Sequence, residues 1–401
     1  AVTEPITAQT ADEEARVAQE VAILDVGSSR ITAMIGRRGV NNTINIVGTG
    51  ECEYPGYEDG EFYRPDELVG SVFKAISAAE TDANMKIRHL YIGVPGQFSV
   101  TQCKDVTMAL NKRRKVTDED VDKLLSLGND FDDNEEYELV NSQPVYFTLG
   151  DERKLIQPVG MTATRLSGYI SYILADRKFT GLFGRIAEDL GIESVDFVSS
   201  LLAETLFLFD DVVRDRYAVL VDVGYIVTDI AVARGDGIVR QFSFSLGGGH
   251  FTKDLHEDLS IRFSLAETLK RKAVLNLEFS QEDTYDLPVG DRVMSLSATQ
   301  VNDVVIARMN KLAKTINKCL SSCDLPPSAT YCLTGGGISY IPGAVDFLSK
   351  KTDRQFEIAA PDLPQMNKPH LSSALSLMDM VLGAESAPQR KKGLFAKLFG
   401  R

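Results

Sequence analysis

The amino-acid sequence predicts an α/β fold made of two similar lobes, with a smaller α+β segment inserted into the first. The main observation is an internal repeat. An apolar strand runs into Leu24-Asp-Val-Gly27, another runs into Val221-Asp-Val-Gly224, and further strands follow in both copies. Residues 89–175 interrupt the repeat with a different pattern of predicted elements, in which a capped helix lies between strands. We interpret this range as the insertion. Two copies of one unit predict two lobes that face a cleft.

The composition excludes several classes of protein. The chain has 401 residues, 44% apolar and 25% charged, which rules out a disordered chain, collagen or a disulfide-rich mini-domain. A net charge of −14 argues against nucleic-acid binding, which needs a basic face. The absence of a long apolar run predicts that nothing spans a bilayer as a helix. The five cysteines include no Cys-x-x-Cys pair, which favours a reduced, cytosolic compartment without structural zinc. Residues 1–20 predict a mobile tail rather than a secretory signal.

The two Asp-x-Gly turns are candidate phosphate-binding loops. A glycine at a strand–strand turn lets backbone N–H groups approach phosphate oxygens, and serine or arginine side chains add donors. A carboxylate at each strand end can hold a hydrated Mg²⁺ ion. Ordinary turns also use Asp and Gly, but two copies 197 residues apart (222 − 25) in matching contexts favour a functional role. The candidates are Asp25, Gly27, Ser28, Ser29, Arg30, Asp222 and Gly224, with Asp25 and Asp222 as the magnesium ligands through water.

Two glycine triplets and an acid–base pair extend this pattern. One triplet follows an apolar strand and leaves room for a flat ligand such as a purine, whereas the other precedes a helix whose N-terminal N–H groups could face a ligand. The alternative for both triplets is an ordinary tight turn. The acidic and the basic residue of the pair lie three positions apart on a predicted helix. They either form a surface ion pair or bind ribose hydroxyls. These residues are Gly335, Gly336 and Gly337, then Gly247, Gly248 and Gly249, and finally Glu267 and Lys270.

The order of these features resembles that of the actin-like ATPase superfamily, whose fold is ribonuclease H-like. Further motifs resemble the FtsA family of bacterial cell-division proteins. The most specific is Pro158-Val-Gly-Met161 followed by Thr-Ala-Thr-Arg-Leu, which marks the family's inserted subdomain 1C. Ala266-Glu-Thr-Leu-Lys270 is similar to the family's adenosine-side helix, and the segment 306–317 is similar to a helix of its subdomain 2B.

The resemblance implies four subdomains and a membrane-targeting tail, together with ATP or ADP and Mg²⁺ as cofactors. The predicted ranges are 1–20 for a disordered tail, 21–88 and 176–205 for subdomain 1A, 89–175 for the SHS2-like subdomain 1C, 206–249 and 329–383 for subdomain 2A, 250–328 for subdomain 2B, and 384–401 for a linker and an amphipathic helix.

The second phosphate loop departs from the family pattern, which reads Asp-x-Gly-Gly-Gly-Thr-Thr-Asp. Tyr225 and Ile226 replace two glycines, and Val227 replaces the first threonine. Asp222, Gly224, Thr228 and Asp229 still match, so the resemblance implies Thr228 as a further nucleotide-binding residue. Tyrosine and isoleucine do not easily adopt a positive φ, and their side chains would crowd the γ-phosphate. We therefore expect nucleotide binding that is weaker than typical or in an altered pose, with slow or absent hydrolysis.

The last twelve residues predict an interfacial amphipathic helix. Residues 390–401 carry five basic residues and no acid, and at helical spacing the apolar residues fall within one arc. The alternative is a terminal helix that packs on the protein core. The predicted membrane-contacting residues are Lys391, Lys392, Leu394, Phe395, Lys397, Leu398, Phe399 and Arg401.

The resemblance implies a peripheral protein on the cytoplasmic side of the cell membrane at the division site. It would form filaments with itself, tether the C-terminal peptide of FtsZ and recruit later division proteins. Arg308, Lys311 and Lys314 lie at helical spacing and could meet that acidic peptide, or could belong to a solvated helix face. Two alternatives are a phosphotransferase of the same superfamily, which the scattered histidines do not favour, and a scaffold similar to PilM of pilus assembly.

Overall fold

The computed structural model describes residues 20–39, 43–54, 56–58 and 60–386. Almost all of the predicted N-terminal tail and the whole predicted membrane helix lie outside these residues. The chain divides into two compact units. Within the described residues, the first unit comprises the chain up to Tyr57, then Phe62–Phe207, and the chain from Ser373 onward. The second unit comprises Glu58–Glu61 and Leu208–Ser372.

The described chain mixes strands and helices, with several runs of consecutive strands. The strands are β1 (Val21–Val26), β2 (Arg30–Arg38), β3 (Ile44–Glu53), β4 (Tyr57–Glu58), β5 (Glu61–Phe62), β6 (His89–Val94), β7 (Ser99–Lys115), β8 (Tyr137–Thr148), β9 (Thr162–Asp176), β10 (Ser194–Ser199), β11 (Ala218–Val223), β12 (Thr228–Arg234), β13 (Gly237–Phe244), β14 (Thr284–Val289), β15 (Arg292–Ser297), β16 (Thr330–Thr334) and β17 (Phe356–Ile358). The α-helices are α1 (Pro65–Ala83), α2 (Asp118–Leu127), α3 (Arg177–Asp189), α4 (Ser200–Leu208), α5 (Asp211–Asp215), α6 (Gly248–Leu259), α7 (Phe263–Lys272), α8 (Ala298–Ser321), α9 (Ala344–Thr352) and α10 (Ser372–Ser386).

Each unit contains a five-stranded sheet of the same topology. The strand orders are β10-β6-β1-β2-β3 in the first unit and β17-β16-β11-β12-β13 in the second. The leading strand of each repeat pairs antiparallel with the next strand and parallel with a later one. Most residues of β1 and β11 are buried, as expected for central strands covered on both faces. The predicted internal duplication is therefore confirmed.

The turns after β1 and β11 also share one hydrogen bond. The N–H of Gly27 donates to the Arg30 carbonyl at 2.9 Å, and the N–H of Gly224 donates to the Val227 carbonyl at the same distance. At Gly27 an added Cβ would lie 2.9 Å from the Arg30 carbonyl oxygen, so this turn has no room for a side chain. Because the turns match, Tyr225 lies at the position that corresponds to Ser28.

The insertion in the first unit has the order strand, helix, strand, strand. Its sheet runs β7-β9-β8, and α2 packs on one face. Helix α2 begins at the predicted capping box, in which Thr117 and Asp120 exchange hydrogen bonds between side chain and backbone. The Pro158–Met161 motif forms the turn before β9 and pairs with the end of β7, where Gly160 N–H donates to the Val116 carbonyl at 2.9 Å.

The insertion starts later than the sequence predicts. The range 89–175 assigned His89–Val94 to the insertion, whereas the structure places β6 in the first sheet between β1 and β10. The reason is that β6 is a short, almost fully buried strand parallel to both neighbours, which ends at Val94, immediately before Pro95. The buried Asn141 side chain of β8 accepts a hydrogen bond from the Ser199 N–H at 2.9 Å and joins the insertion to β10.

The position of helix α10 differs from the prediction, which included it in the range 329–383 of subdomain 2A. From Ser373 it lies with the first unit. Arg38 of β2 donates to Asp379 at 2.9 Å, and the Tyr91 hydroxyl donates to Glu385 at 2.5 Å. These partners are far away along the chain, so no local pattern announces them.

In the second unit, α6, α7, α8 and α9 pack around one core, together with the hairpin β14–β15, which the sequence did not predict. No helix within the described ranges is long and apolar enough to cross a membrane.

Candidate functional site

The first candidate phosphate loop is joined to α10 of its own unit. Asp25, at the end of β1, accepts a hydrogen bond from the Ser373 hydroxyl at 2.7 Å. Burial raises the pKa of the Asp25 carboxyl to about 6, against the lowering effect of the Ser373 hydrogen bond, and the charge of Glu51 adds to the increase. The role of Asp25 as a ligand of hydrated Mg²⁺ stays a prediction.

Arg30 in the same loop already has an anionic partner. Its guanidinium donates to Glu51 on β3 at 2.7 Å, and both side chains are exposed. The Ser29 carbonyl accepts from the Tyr54 N–H at 2.9 Å, which fixes the turn on the sheet. An exposed ion pair is weak, so Arg30 can exchange Glu51 for another anion at small cost.

In the second loop, backbone carbonyls accept hydrogen bonds from glycines of both triplets. The Val223 carbonyl accepts from Gly337 N–H at 2.7 Å, the Gly224 carbonyl from Gly248 N–H at 2.9 Å, and the Tyr225 carbonyl from Gly249 N–H at 2.6 Å. The Gly247 N–H donates to Nδ1 of His250 at 3.0 Å. Four of the six glycine N–H groups that the sequence offers to a ligand are thus used within the chain.

The glycines themselves are required by the close approach of these segments. A Cβ on Gly247 would lie 2.6 Å from the Gly224 carbonyl oxygen, and one on Gly248 would lie 2.5 Å from the Cα of Gly337. Gly335 has φ +86°, and a Cβ there would lie 2.0 Å from a carboxylate oxygen of Asp222. The alternative of tight turns therefore accounts for these positions without a ligand.

The Tyr225 ring lies over the start of α6. A Cβ placed on Gly249 would come within 2.8–3.1 Å of three ring atoms, and the Lys270 ammonium lies 6.0 Å from the ring centroid. Neither Tyr225 nor Ile226 has a positive φ. The loop therefore accommodates both residues without the left-handed backbone that glycines would permit.

Glu267 and Lys270 form a largely buried pair rather than a surface one. The Lys270 side chain is 3% exposed and donates to Glu267 at 2.8 Å and to the Gly248 carbonyl at 3.1 Å. Burial lowers the pKa of Lys270, although Glu267 opposes this change. Burial alone would raise the pKa of Glu267, but the Lys270 charge reverses the direction and lowers it. Thr252 also donates to Glu267, at 2.5 Å, so the pair is anchored to α6.

The Thr228 hydroxyl, which matches a phosphate donor of the family pattern, is also used internally. It is fully buried and donates to the Leu246 carbonyl at 2.6 Å. It therefore fastens the second loop to the segment before α6.

Two residues near Gly336, Tyr340 and His370, belong to no motif of the sequence. A Cβ on Gly336 would lie 3.0 Å from the Cβ of His370, and Nδ1 of His370 lies 2.6 Å from the Tyr340 hydroxyl. Tyr340 follows Gly336 by four residues, a signal that could have drawn attention to it. His370 follows Gly336 by 34 residues in the sequence, and only the folded chain brings the two together. No sequence pattern indicates this contact.

The groups on the second unit do not fit the phosphates of a nucleotide in this arrangement. Backbone carbonyls hold the N–H groups at the start of α6, and the Thr228 hydroxyl and the Lys270 ammonium donate to protein acceptors. In the described part of the chain, no group of three or more His, Cys, Asp or Glu side chains could hold a metal ion.

The three α8 residues predicted to meet the acidic peptide have different environments. Arg308 donates to both carboxylate oxygens of Asp254 on α6. Lys311 and Lys314 are exposed. The structure therefore leaves the two lysines, rather than Arg308, at the surface for a partner.

Family models match two parts of the chain. A model described as cell division protein FtsA matches residues 219–376, and a model described as the SHS2 domain inserted in FtsA matches residues 96–174. The chain is 24% identical over 390 residues to the cell division protein FtsA of Neisseria meningitidis serogroup B, with 93% of each chain covered. It is 22% identical to that of Bacillus subtilis, with 92% of this chain and 85% of the relative covered.

Solved structures share the fold at low identity. A PilM–PilN type IV pilus biogenesis complex matches with a TM-score of 0.61 and 14% identity, over 92% of this chain and 99% of the other. MreB5 of Spiroplasma citri bound to ADP matches with a TM-score of 0.53 and 12% identity, over 92% and 98%. These likenesses, with the duplicated sheets and the SHS2 insertion, confirm the predicted actin-like α/β fold.

Proposed function

Because the chain belongs to the FtsA family of bacterial cell-division proteins, we propose that it polymerises on the inner face of the cytoplasmic membrane, anchors FtsZ filaments there and recruits later division proteins. The observation that carries this proposal is the insertion of strand, helix, strand and strand in an actin-like duplicated fold, where the SHS2 family model matches residues 96–174. Relatives named as cell-division proteins cover most of the chain.

The sequence of the tail supports membrane attachment. Residues 390–401 carry a charge of +5, so the rest of the chain carries −19 (−14 − 5). Full burial of two Leu and two Phe side chains would contribute about 6–10 kcal/mol, and shallow immersion with ordering of the helix removes much of this. Each basic residue near an anionic leaflet adds about 1 kcal/mol. One tail is therefore a weak anchor, whereas several tails on one polymer bind tightly through effective concentration.

The exposed face of α8 supports FtsZ binding. Lys311 and Lys314 are exposed and lie three residues apart on the helix, so both can contact one acidic peptide. Arg308 contributes indirectly, because its pair with Asp254 holds α8 against α6.

Bound ATP or ADP with Mg²⁺, which the family resemblance implies, is not a step of this proposal. Multivalent tails connect polymerisation to membrane residence without hydrolysis. In the second unit, the N–H groups of Gly248 and Gly249 and the Lys270 ammonium already donate hydrogen bonds to backbone carbonyls of the protein.

Co-sedimentation with anionic liposomes tests the proposal. The full chain should carry FtsZ into the liposome pellet, whereas a version that ends at Ala387 should leave both proteins in the supernatant. FtsZ without its C-terminal peptide is the matched control and should stay in the supernatant. If FtsZ stays in solution with the full chain, or if a pilus-assembly peptide binds while the FtsZ peptide does not, the proposal is wrong.

A further inference from the structure

The second candidate phosphate loop, residues 222–229, is filled by the Tyr225 side chain and by hydrogen bonds between its backbone and α6. Its carbonyls at Gly224 and Tyr225 accept the first N–H groups of α6, and the Tyr225 ring covers Gly249. We propose that Tyr225 takes the place of the nucleotide sugar and phosphates in the second unit, so that the chain assembles without ATP or ADP. The assignment of Tyr225 is independent of the membrane tether, whereas assembly of the chain rests on the proposed function.

The Tyr225 ring lies beside the two residues predicted to bind ribose. Tyr225 packs on Gly249, and its ring centroid lies 6.0 Å from the Lys270 ammonium. Lys270 and Glu267 are the pair predicted from the sequence to bind ribose. A sugar that reaches this pair has to share its space with the phenol ring. The pair is also satisfied without a ligand, because Lys270 donates to Glu267 and to the Gly248 carbonyl.

The backbone N–H groups at the start of α6 are also occupied. The N-terminus of a helix binds phosphate through free N–H groups. In α6, the N–H groups of Gly248 and Gly249 are only 2.9 and 2.6 Å from loop carbonyl oxygens. An incoming phosphate would have to break these bonds and would meet the displaced carbonyl oxygens, which repel an anion.

The first unit provides an internal comparison. Its turn has the same Gly27–Arg30 hydrogen bond, but small serines stand where the second turn has Tyr225 and Ile226. The bulky side chain is thus confined to one copy of the repeat. Tyr225 is therefore the residue that decides whether the second unit admits a nucleotide.

Nucleotide binding to the full chain tests this assignment. Fluorescence anisotropy of a labelled ATP and a labelled ADP, each with Mg²⁺, would compare the natural chain with Tyr225→Gly. We expect no saturation of the natural chain up to about 1 mM nucleotide and at least a tenfold gain in affinity for the variant. Tyr225→Phe is the matched control, which keeps the ring and should gain nothing. Adding Glu267→Ala to Tyr225→Gly should abolish the gain, which would place the nucleotide at this site.

Micromolar binding by the natural chain would overturn the proposal, as would a Tyr225→Gly variant that folds and binds no better. Because a glycine at this position could loosen the loop, the triple change Tyr225→Gly, Ile226→Gly and Val227→Thr, which restores the family pattern, provides a second variant. Nucleotide should raise the melting temperature of that variant and leave the natural chain unchanged. Liposome sedimentation of the natural chain should be the same with and without ATP, and a dependence on ATP would also overturn the proposal.

Discussion

The guanidinium of Arg308 donates to both carboxylate oxygens of Asp254, at 2.6 and 2.5 Å. The two side chains are 18% and 21% exposed, so the pair is largely removed from water. This bond fastens α8 to α6 within the second unit. It also separates Arg308 from Lys311 and Lys314, with which the sequence had grouped it as a candidate site for the FtsZ peptide.

Arg308→Ala should therefore destabilise the second unit. The change leaves the Asp254 carboxylate partly buried without its two donors, which we expect to cost about 1–3 kcal/mol. The melting temperature of the full chain measures the effect. Lys318→Ala, at an exposed position on the same helix, is the control and should leave the melting temperature unchanged. Equal stability of the two variants would contradict a structural role for Arg308.

Lys311→Glu combined with Lys314→Glu should weaken binding of the FtsZ C-terminal peptide at least tenfold, because two attractive charges become repulsive ones. Since both lysines are exposed, the melting temperature should not change. Calorimetry with the synthetic peptide measures the affinity. Lys74→Glu combined with Lys123→Glu, at exposed positions on α1 and α2 of the first unit, is the control with the same change in net charge. Unchanged affinity of the double variant would move the peptide site away from α8.

The sequence predicted the parts of the fold that depend on local pattern. The motif Leu24–Gly27 recurs at Val221–Gly224 and predicts two sheets of the same topology. This prediction was possible because apolar strands and glycine turns are recognisable from the local sequence. The capping box at Thr117 was predicted for the same reason. By contrast, the position of β6 depends on its pairing with β1, and that of α10 depends on Arg38 and Tyr91, which are distant in the chain.

The candidate site shows the same division. The departure at Tyr225 and Ile226 was visible from the motif alone, and steric reasoning predicted that it would disturb phosphate binding. The sequence did not reveal that the Gly248 and Gly249 N–H groups hold loop carbonyls, or that Lys270 is buried. Glycine triplets predict close approach of something to the backbone. Only the tertiary structure identifies that partner as the chain itself.

Asp120→Asn should destabilise the chain in a pH-dependent way. The Arg114 guanidinium, with the Thr117 backbone and hydroxyl, lowers the pKa of Asp120 to about 2 despite burial. The carboxylate therefore contributes stability above its unfolded-state pKa of about 4, and this contribution is lost as the pH falls through about 2. We expect the variant to lose about 1–2 kcal/mol at pH 7, after discounting for the partly exposed arginine, and little at pH 2.

Melting temperatures at pH 7 and at pH 2 measure this difference. Asp132→Asn, at an exposed loop position of the same insertion, is the control and should show no such dependence. A loss of stability of the same size at both pH values would show that the Asp120 charge is not responsible.

Gly50→Ala and Gly70→Ala should have opposite effects on the first unit. A Cβ on Gly50 of β3 would lie 1.9 Å from the Ala75 carbonyl oxygen of α1, so the helix would have to move, at a cost of about 3 kcal/mol. At Gly70 of α1 nothing lies within 4 Å, and alanine should stabilise the helix by about 0.5–1 kcal/mol. Thermal unfolding of the two full-length variants measures both shifts. The same sign for both would contradict the close packing of α1 on β3.

Phe395→Asp should release the protein from anionic liposomes. The change removes one of the four large apolar side chains predicted to enter the interface and adds a charge that the leaflet repels, so we expect at least a tenfold lower partition. Sedimentation of the full chain with liposomes measures the bound fraction. Gly400→Asp is the matched control, because it adds the same charge outside the predicted apolar arc and should retain most of the binding. Equal losses for both variants would mean that the tail binds through its charge alone, and unchanged sedimentation of Phe395→Asp would show that the anchor lies elsewhere.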